Sequence, residues 1–431
     1  MRFCFCLVTV AALLAVCPIW VWAAIPADEP AREEGFVSLF DGKSLDGWML
    51  LDGSGPGYAV RDGLLVCQKG TGGRFFLADE YEDFTFRFEF RLEAGGNNGV
   101  GIRTPLKGDP AYQGMEIQIL DDDAEKYANL KPYQYHGSVY GLFPAKRGVL
   151  KKAGEWNEEE IDVRGSKVRV TLNGEIIVDA DLATIKDPAL VARHPGIKRR
   201  SGHVGFLSHG SEVEFRNIRI KDLTLNVPPE GFGLLFNGRD LQGWKGLVAN
   251  PPKRAAMTAD ALGAAQAEAD KQMAEHWRVE DGILVFDGKG HSLCTKKDYG
   301  DFELLVDWKI PPGGDSGIYL RGSPQVQIWD HEHGSGGLYN NKKNPSRPLK
   351  KADKPPGTWN RFRILMQGEK VTVYLNGALV VDKVTMENYW ERGKPIYRED
   401  SIELQSHGGV LYFRNIFIRE IAHKPETEDG G

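Results

Sequence analysis

The sequence predicts an all-β protein made of two tandem antiparallel β-sandwiches of the jelly-roll type, with a short helix inserted in the second. Three observations predict this fold class. The chain of 431 residues repeats itself at an interval of roughly 200 residues, and apolar residues alternate with polar residues within each repeat. The 51 glycines suit the many tight turns that connect short strands.

The overall composition is that of a soluble globular protein. Hydrophobic residues make up 41% of the chain and charged residues 26%, and the formal net charge is −6. These values exclude a disordered chain, a coiled coil and a polytopic membrane protein. Because no run of lysine and arginine is long enough to follow a phosphate backbone, we expect no nucleic acid partner.

The N-terminus has the features of an export signal. Arg2 precedes an uncharged stretch that ends at residues 21–24 in Val-Trp-Ala-Ala, a small-residue cleavage pattern. We predict a signal peptide over residues 1–23 and a mature protein that is periplasmic or secreted and makes no membrane contact after cleavage. An uncleaved membrane anchor is the alternative, because the stretch is nearly long enough to span a bilayer.

Two cysteines, Cys67 and Cys294, follow this segment. They lie at non-equivalent places in the two repeats. An exported protein could pair them, but two cysteines are too few for a disulfide framework. We predict that both are buried and pack as small hydrophobic side chains.

Matching segments define the two copies. The segment that ends at Trp48 returns at Trp244, 196 positions later. Four further segments match in the same order: 61–66 with 280–285, 154–157 with 357–360, 172–174 with 375–377, and 208–218 with 406–416. We therefore predict one domain over residues 36–224 and a second over residues 231–421, joined by a short Pro-rich linker.

Alternation with a period of two predicts the strands of each copy. Phenylalanine occupies every second position from 84 to 90, and valine and leucine alternate before Asn-Gly hairpin dipeptides at 173–174 and 376–377. Residues 253–276 break the pattern, since they are rich in alanine, glutamine and glutamate. The spacing between matching residues also rises from 196 to 219 across this segment. We predict an inserted helix there, which could cap the site or separate the domains.

The first candidate site lies on the strand that contains Glu116 and Gln118. Alternation places both side chains on one face, and a bulge after Ile119 would add Asp121 to that face. The Glu-x-Gln-x-x-Asp spacing resembles the Glu-x-Asp-x-x-Glu strand of laminarinase-type β-glucanases, in which two carboxylates cleave a glycosidic bond. We predict that Glu116 and Asp121 are catalytic and that Gln118 binds substrate. An edge strand with solvated polar residues is the alternative.

The second copy changes this pattern. Gln325 stands at the position of Glu116, so a two-carboxylate mechanism cannot operate there. Both copies keep the glutamine and the aspartate, which are Gln327 and Asp330 in the second copy. This pair suits hydrogen bonding to sugar hydroxyls, or one base beside a metal ligand. We predict that Gln325 and Gln327 bind substrate and that Asp330 is catalytic.

Cations and histidines add further candidates near these strands. Arg103 and Arg321 lie one strand before the polar strand, where a cation could orient carboxylates or bind a ligand oxygen. Surface arginines without a ligand are the alternative. His209 and His407 lie in matching Ser-His-Gly turns, and a neutral imidazole at either position could serve as a general base.

A metal site is a further possibility in the second copy. Asp330, His331 and His333 follow one another closely and could gather around a divalent metal ion. A short solvated loop is the alternative, because clusters of this kind often have no ligand.

The same motifs resemble those of a known family. The opening Leu-Phe-Asp-Gly-x-x-Leu-x-Gly-Trp, the Gln-x-x-Asp strand, Gly-x-Trp-Asn, Leu-Asn-Gly and the closing Ser-His-Gly with Phe-Arg-Asn-Ile look like the 3-keto-disaccharide hydrolase domain family. The resemblance covers nearly all of residues 35–421. It implies concanavalin A-like jelly-roll β-sandwiches, export from bacteria, and an oligosaccharide or glycoside substrate whose sugar is oxidised at C3.

The resemblance implies chemistry that needs only one base. A 3-keto group acidifies the proton on C2, so a base can remove it, the glycosidic oxygen can leave from C1, and water can add afterwards. A divalent metal ion or an arginine would stabilise the enolate oxygen. Two alternatives remain open: a non-catalytic carbohydrate-binding protein and a conventional laminarinase-type β-glucanase.

Overall fold

The computed structural model describes residues 33, 35–53, 57–323 and 325–422. The predicted signal peptide lies outside these residues. Within them, each half of the chain forms two antiparallel sheets, and each half has its own hydrophobic core. The predicted pair of tandem β-sandwiches is confirmed.

Thirteen strands form the described part of the first half. In chain order they are β1 (Val37–Ser38), β2 (Trp48–Leu51), β3 (Tyr58–Arg61), β4 (Leu64–Cys67), β5 (Gly72–Tyr81), β6 (Phe84–Leu92), β7 (Asn97–Thr104), β8 (Met115–Leu120), β9 (Asn157–Arg164), β10 (Lys167–Leu172), β11 (Glu175–Asp181), β12 (Gly202–His209) and β13 (Val213–Asp222). The larger sheet has the order β11-β10-β9-β6-β13-β4-β3, with β1 beside β13. The smaller sheet has the order β2-β5-β12-β7-β8.

Fourteen strands form the described part of the second half. They are β14 (Gly233–Leu234), β15 (Trp244–Gly246), β16 (Trp277–Glu280), β17 (Ile283–Phe286), β18 (Leu293–Thr295), β19 (Phe302–Lys309), β20 (Asp315–Tyr319), β21 (Gln325–Trp329), β22 (Leu338–Tyr339), β23 (Asn360–Gln367), β24 (Lys370–Leu375), β25 (Ala378–Thr385), β26 (Glu403–Leu404) and β27 (Leu411–Glu420). The larger sheet has the order β16-β17-β27-β19-β23-β24-β25, with β14 beside β27. The smaller sheet has the order β15-β18-β26-β20-β21-β22.

The two smaller sheets follow the same plan. Within the described ranges, every sheet draws its strands from one half only. The order β2-β5-β12-β7-β8 in the first half matches β15-β18-β26-β20-β21 in the second. Residues that occupy corresponding rows of the two sheets can therefore be compared directly.

Short helices lie between the strands. They are α1 (Pro110–Gln113), α2 (Pro188–Arg193), α3 (Pro251–Ala255) and α4 (Ala259–His276), with 3₁₀ turns at Glu125–Tyr127, Pro132–Gln134, Leu182–Thr184 and Pro195–Lys198. The inserted helix predicted over 253–276 is present, but it is divided into α3 and α4. The division occurs because the Thr258 side chain accepts a hydrogen bond from the Ala261 N–H and so begins a new helix.

Alternation along β6 and β8 builds the core of the first half. Phenylalanine side chains at positions 84, 86, 88 and 90 are fully buried and belong to one hydrophobic cluster. On β8, Met115, Ile117 and Ile119 join the same cluster. Since successive side chains of a strand point to opposite faces, Glu116 and Gln118 lie on the outer face of the smaller sheet.

Two further observations concern the predicted environment of the chain. Cys67 and Cys294 are both free and buried, as predicted. No helix within the described ranges is both long enough and apolar enough to cross a membrane.

A buried polar pair lies in the first half, next to the strand that carries Glu116. His136 Nε2 and Glu159 Oε2 are 3.4 Å apart, and both side chains are almost completely buried. The Leu120 N–H donates to His136 Nδ1 at 3.3 Å, which leaves the imidazole proton on Nε2. Burial lowers the pKa of His136 to about 3 and raises the pKa of Glu159 to about 8, so both groups are neutral near pH 6.

These pKa values make the stability of the first half depend on pH. The ordinary pKa of histidine is 6.5. Below this pH, His136 binds a proton in the unfolded chain but not in the folded chain, so the stability of the fold decreases as the pH drops towards 3. The ordinary pKa of glutamic acid is 4.5. Above this pH, Glu159 keeps its proton in the folded chain but loses it in the unfolded chain, so the stability of the fold decreases as the pH rises towards 8. The contribution of the pair is therefore most favourable between these limits.

The substitution Glu159→Gln tests this account, because glutamine keeps the size of the side chain but cannot ionise. We expect the variant to lose less stability than the parent protein between pH 6 and pH 9. Each kcal/mol retained corresponds to about 2–4 °C in the melting temperature of a domain of this size. Thermal unfolding at both pH values measures the difference, and Glu158→Gln on the exposed face of the same strand is the control. Parallel pH dependence in the parent and Glu159→Gln would show that Glu159 is ionised when folded.

Candidate active site

Glu116 lies on the outer face of the smaller sheet, above a glycine of the neighbouring strand. It is only 4% exposed, although it occupies the edge strand β8. A Cβ atom at Gly99 on β7 would overlap the Glu116 carboxylate. Gly99 therefore leaves the space in which this carboxylate lies, and any larger residue there would displace it.

His209, the last residue of β12, contacts this carboxylate. Its Nε2 lies 3.1 Å from Glu116 Oε1, while the side chain of His209 is 42% exposed. The hydrogen bond to Glu116 raises the pKa of His209, against the opposing effect of burial. The pair thus joins a buried carboxylate to an imidazole that solvent and a ligand can reach.

A cleft of about 260 Å³ opens beside this pair. Arg74 of β5 lines it and is held by its Nη1 donating to the Gly108 carbonyl at 2.8 Å and by an ion pair with Asp52. Asp109 also lines the cleft, but it caps helix α1 by accepting from the Ala111 N–H at 3.0 Å. Arg74 was not predicted from the sequence, because a single arginine in a β-strand shows no pattern that distinguishes it from a surface residue.

The other two residues of the predicted polar strand have different surroundings from Glu116. Gln118 Nε2 donates to Asn97 Oδ1 at 2.7 Å and to the Asn98 carbonyl at 3.1 Å, so it ties β8 to β7. Asp121 Oδ2 accepts from the Gly95 N–H at 2.7 Å and holds the turn before β7. The predicted bulge after Ile119 is wrong, since the register between β7 and β8 continues unbroken to Leu120.

Arg103 does not join the cleft, which corrects its predicted role in substrate binding. It is 1% exposed and donates to the carbonyls of Glu82 and Gly165 at 2.9 and 2.7 Å. It also pairs with Asp83 at 3.0 Å. Because all of these partners lie in loops at the ends of strands, Arg103 fastens those loops together.

Arg321 has the corresponding structural role in the second half. It is 4% exposed, donates to the carbonyls of Arg398 and Gly368, and lies 3.8 Å from Asp301. Its predicted role in substrate binding is corrected for the same reason. In both copies, a buried guanidinium requires several oxygen partners, and the loop carbonyls provide them.

In the second half an amide, Gln325, stands at the position of the Glu116 carboxylate. Gln325 donates to Gln327 Oε1 at 2.5 Å, and Gln327 donates to Asp315 Oδ1 at 2.8 Å. His407 Nδ1 lies 3.6 Å from Asp315 Oδ2, so the histidine pairs with a different carboxylate. The two predicted substrate-binding glutamines therefore bind each other and the neighbouring strand.

The predicted metal ligands do not form a metal site. Asp330 Oδ2 accepts from the Gly313 N–H at 2.9 Å, as Asp121 does in the first half. His331 stacks on Trp329 with ring centroids 4.5 Å apart, and His333 contacts the His331 ring at 4.8 Å. Among the described residues, no three His, Cys, Asp or Glu side chains are grouped as a metal ion would require. The set formed by Asp330, His331 and His333 does not fit a metal ion.

One family model matches both halves of the chain. The sequence model described as the 3-keto-alpha-glucoside-1,2-lyase-like domain matches residues 35–221 and again residues 231–419. A 3-keto-disaccharide hydrolase from Bacteroides thetaiotaomicron is 27% identical over 233 residues, which are 45% of this chain and 80% of that protein.

Two crystal structures of candidate glycosyl hydrolases from Parabacteroides distasonis are also similar. The first is 31% identical, with 44% of this chain and 99% of that chain covered and a TM-score of 0.39. The second is 26% identical, with 44% and 94% covered and a TM-score of 0.38.

The hydrogen bond between His209 and Glu116 leads to a prediction about titration. We expect Glu116→Gln to lower the pKa of His209, because the amide removes the negative charge that favours the imidazolium. NMR titration of the His209 ring in the parent and the variant measures the change. Glu175→Gln, an exposed substitution on the larger sheet, should leave the titration of His209 unaltered. An unchanged His209 pKa in Glu116→Gln would mean that the pair does not form in solution.

Proposed function

We propose that this chain, which belongs to the 3-keto-alpha-glucoside-1,2-lyase-like family, cleaves glycosides whose sugar is oxidised at C3, and that the first half carries out the reaction. The family and the Bacteroides relative indicate a glycoside-hydrolase-like enzyme. The observation that carries the finer proposal is the His209–Glu116 hydrogen bond of 3.1 Å beside a cleft lined by Arg74.

His209 is the proposed general base. Its Nε2 is engaged by Glu116, and among the described residues no hydrogen bond is formed at Nδ1, so this nitrogen can face a substrate. A carboxylate that holds one ring nitrogen fixes the tautomer and raises the basicity of the other. Glu116 is therefore proposed as a positioning residue: it lines the cleft but is 4% exposed, and its Oε1 is engaged by His209.

The reaction proceeds as an elimination followed by a hydration. His209 removes the proton on C2, and the C2–H electron pair forms an enolate with the C3 carbonyl. When that carbonyl re-forms, a C1–C2 double bond appears and the bond from C1 to the glycosidic oxygen breaks, with the departing oxygen taking up a proton. Water then adds at C1 and a proton at C2, so one water is consumed and no oxidant is required.

Arg74 is the proposed partner of the enolate oxygen. It is the cation that lines the cleft, and its contacts with Gly108 and Asp52 hold it in one orientation. A fixed cation at a developing negative charge lowers the barrier without moving during the reaction. The residue at this position of the second half is Ser292, which cannot supply that charge.

We also propose that the enzyme acts in the periplasm or outside the cell, because residues 1–23 have the pattern of an export signal. The proposed steps use only side chains of this chain. Repeating the assay below with a chelator measures whether a divalent metal takes part.

Matched histidine variants of the full chain test the assignment to the first half. With an aryl 3-keto-glucoside, His209→Ala should release the aryl alcohol about 100-fold or more slowly than the parent, the usual contribution of a general base. His407→Ala, the equivalent change in the second half, should leave the rate near that of the parent.

Other outcomes would contradict the proposal. Loss of activity in His407→Ala with full activity in His209→Ala would move the reaction to the second half. Release of reducing sugar from an unoxidised β-glucan would favour a conventional glucanase. Binding of the 3-keto-glucoside without any cleavage would favour a carbohydrate-binding protein.

A further inference from the structure

The outer faces of the two smaller sheets differ along one row of neighbouring residues. Residues opposite one another on adjacent antiparallel strands point to the same face, so each row can be followed across the sheet. In the first half the row is Met49, Phe76, Gly205, Gly101 and Glu116. In the second half it is Lys245, Cys294, Glu403, Tyr319 and Gln325.

The two glycines of the first row are replaced by large side chains in the second. Glu403 stands where the first half has Gly205, and Tyr319 stands where it has Gly101. Both are buried, and the Trp390 ring stacks on Tyr319 with centroids 6.3 Å apart. In the first half, the completely buried Phe76 ring lies against Gly101, so this part of the outer face is filled in both halves, but by different side chains.

In the second half, a cavity lies beneath the inserted helices. A cavity of about 760 Å³ is bounded by α3 and α4, by Lys245 and Cys294 of the sheet, and by the chain between residues 391 and 401. We call this cavity the insert pocket. Its volume is in the range of pockets that hold small molecules.

The insert is fixed firmly enough to form a wall. The Gln266 side chain of α4 donates to the Gly246 carbonyl at 2.9 Å, and Asp270 accepts from the Gly246 N–H at 2.9 Å. These bonds pair the edge strand β15 with the helix. The insert therefore covers the edge of the smaller sheet of the second half.

The insert pocket combines an apolar wall with charged groups. Leu247, Pro251, Ala255 and Leu262 contribute apolar surface. Two of the carboxylates are already engaged: Asp400 with Arg254 at 2.9 and 3.0 Å, and Glu391 with Lys394 at 2.6 Å.

Three charged groups remain for a ligand. Among the described residues, the side chains of Lys245, Asp298 and Glu399 form no hydrogen bond or ion pair, although all three line the pocket. Burial and the nearby Asp400 raise the pKa of Asp298. Two free carboxylates against one free ammonium give the pocket an excess of negative charge.

We propose that the insert pocket is a second sugar site, which takes one or two sugar rings and favours sugars with a protonated amine over sugar acids. The apolar wall packs against the C–H face of a ring, Asp298 and Glu399 accept from the ammonium and the hydroxyls, and Lys245 donates to a ring or hydroxyl oxygen. That the ligand is a sugar rests on the proposed function, whereas its charge preference rests on the lining of the pocket.

Calorimetry with glucosamine, glucose and glucuronate at pH 6.5 tests the charge preference in the full chain. The His209→Ala background prevents turnover in the first half. We expect glucosamine to bind most tightly and glucuronate most weakly, and Asp298→Asn to weaken glucosamine several-fold while glucose changes little. Glucuronate binding as tightly as glucosamine, or no binding of any of the three sugars, would overturn the proposal.

A pair of substitutions at one position locates the binding. A Cβ at Gly263 of α4 would meet no atom within 4 Å, and this residue lines the pocket. Gly263→Phe should therefore fill the pocket without disturbing the helix, and it should abolish glucosamine binding. Gly263→Ala should bind as the parent does. Unchanged glucosamine binding in Gly263→Phe would place the sugar elsewhere and overturn the assignment.

The same variants keep this inference separate from the proposed function. Gly263→Phe with an intact His209 should still cleave the 3-keto-glucoside, because the first half is untouched. If His209→Ala retains cleavage while the Gly263 variants behave as expected, the proposed function fails and the second site stands. If Gly263→Phe binds glucosamine normally while His209→Ala loses cleavage, the second site fails and the proposed function stands.

Discussion

The hydrogen bond between His209 and Glu116 is the contact on which the proposed chemistry of the first half depends. It joins the end of β12 to the edge strand β8 across the outer face of the smaller sheet. The contact requires that Glu116 point away from the core, which the buried methionine and isoleucines of β8 enforce, and that Gly99 leave room beneath it. A buried carboxylate and an accessible imidazole can then act as one unit.

Two copies of one fold have diverged on that face while keeping their frameworks. The aspartates Asp121 and Asp330 hold the same turn, and Arg103 and Arg321 fasten the same group of loops. The differences lie where the first copy has glycine and the second has glutamate or tyrosine. In the first copy a cleft opens beside Glu116, whereas in the second a cavity lies at the edge of the sheet, where the inserted helices cover it.

The sequence predicted the tandem sandwiches, the inserted helix and the face on which Glu116 lies, because these follow from repetition and from the period of a strand. It also singled out His209. It did not predict Arg74, and it assigned substrate binding to Arg103 and catalysis to Asp121, which both hold loops. Local pattern shows which way a side chain points along its own strand, but its partners come from strands and loops distant in sequence. A buried arginine bound to carbonyls and an arginine in a cleft therefore look alike before the chain is folded.

The central claim is that one base removes the C2 proton of a 3-keto sugar, and the isotope effect at that position tests it most directly. The measurement compares the cleavage rates of an aryl 3-keto-glucoside carrying hydrogen at C2 and the same compound carrying deuterium. Slower cleavage of the deuterated compound under single-turnover conditions is the predicted result, since the C2–H bond breaks before the aryl alcohol leaves. Equal rates, together with a product that keeps its C2 deuterium in ordinary water, would contradict the elimination and support direct displacement at C1.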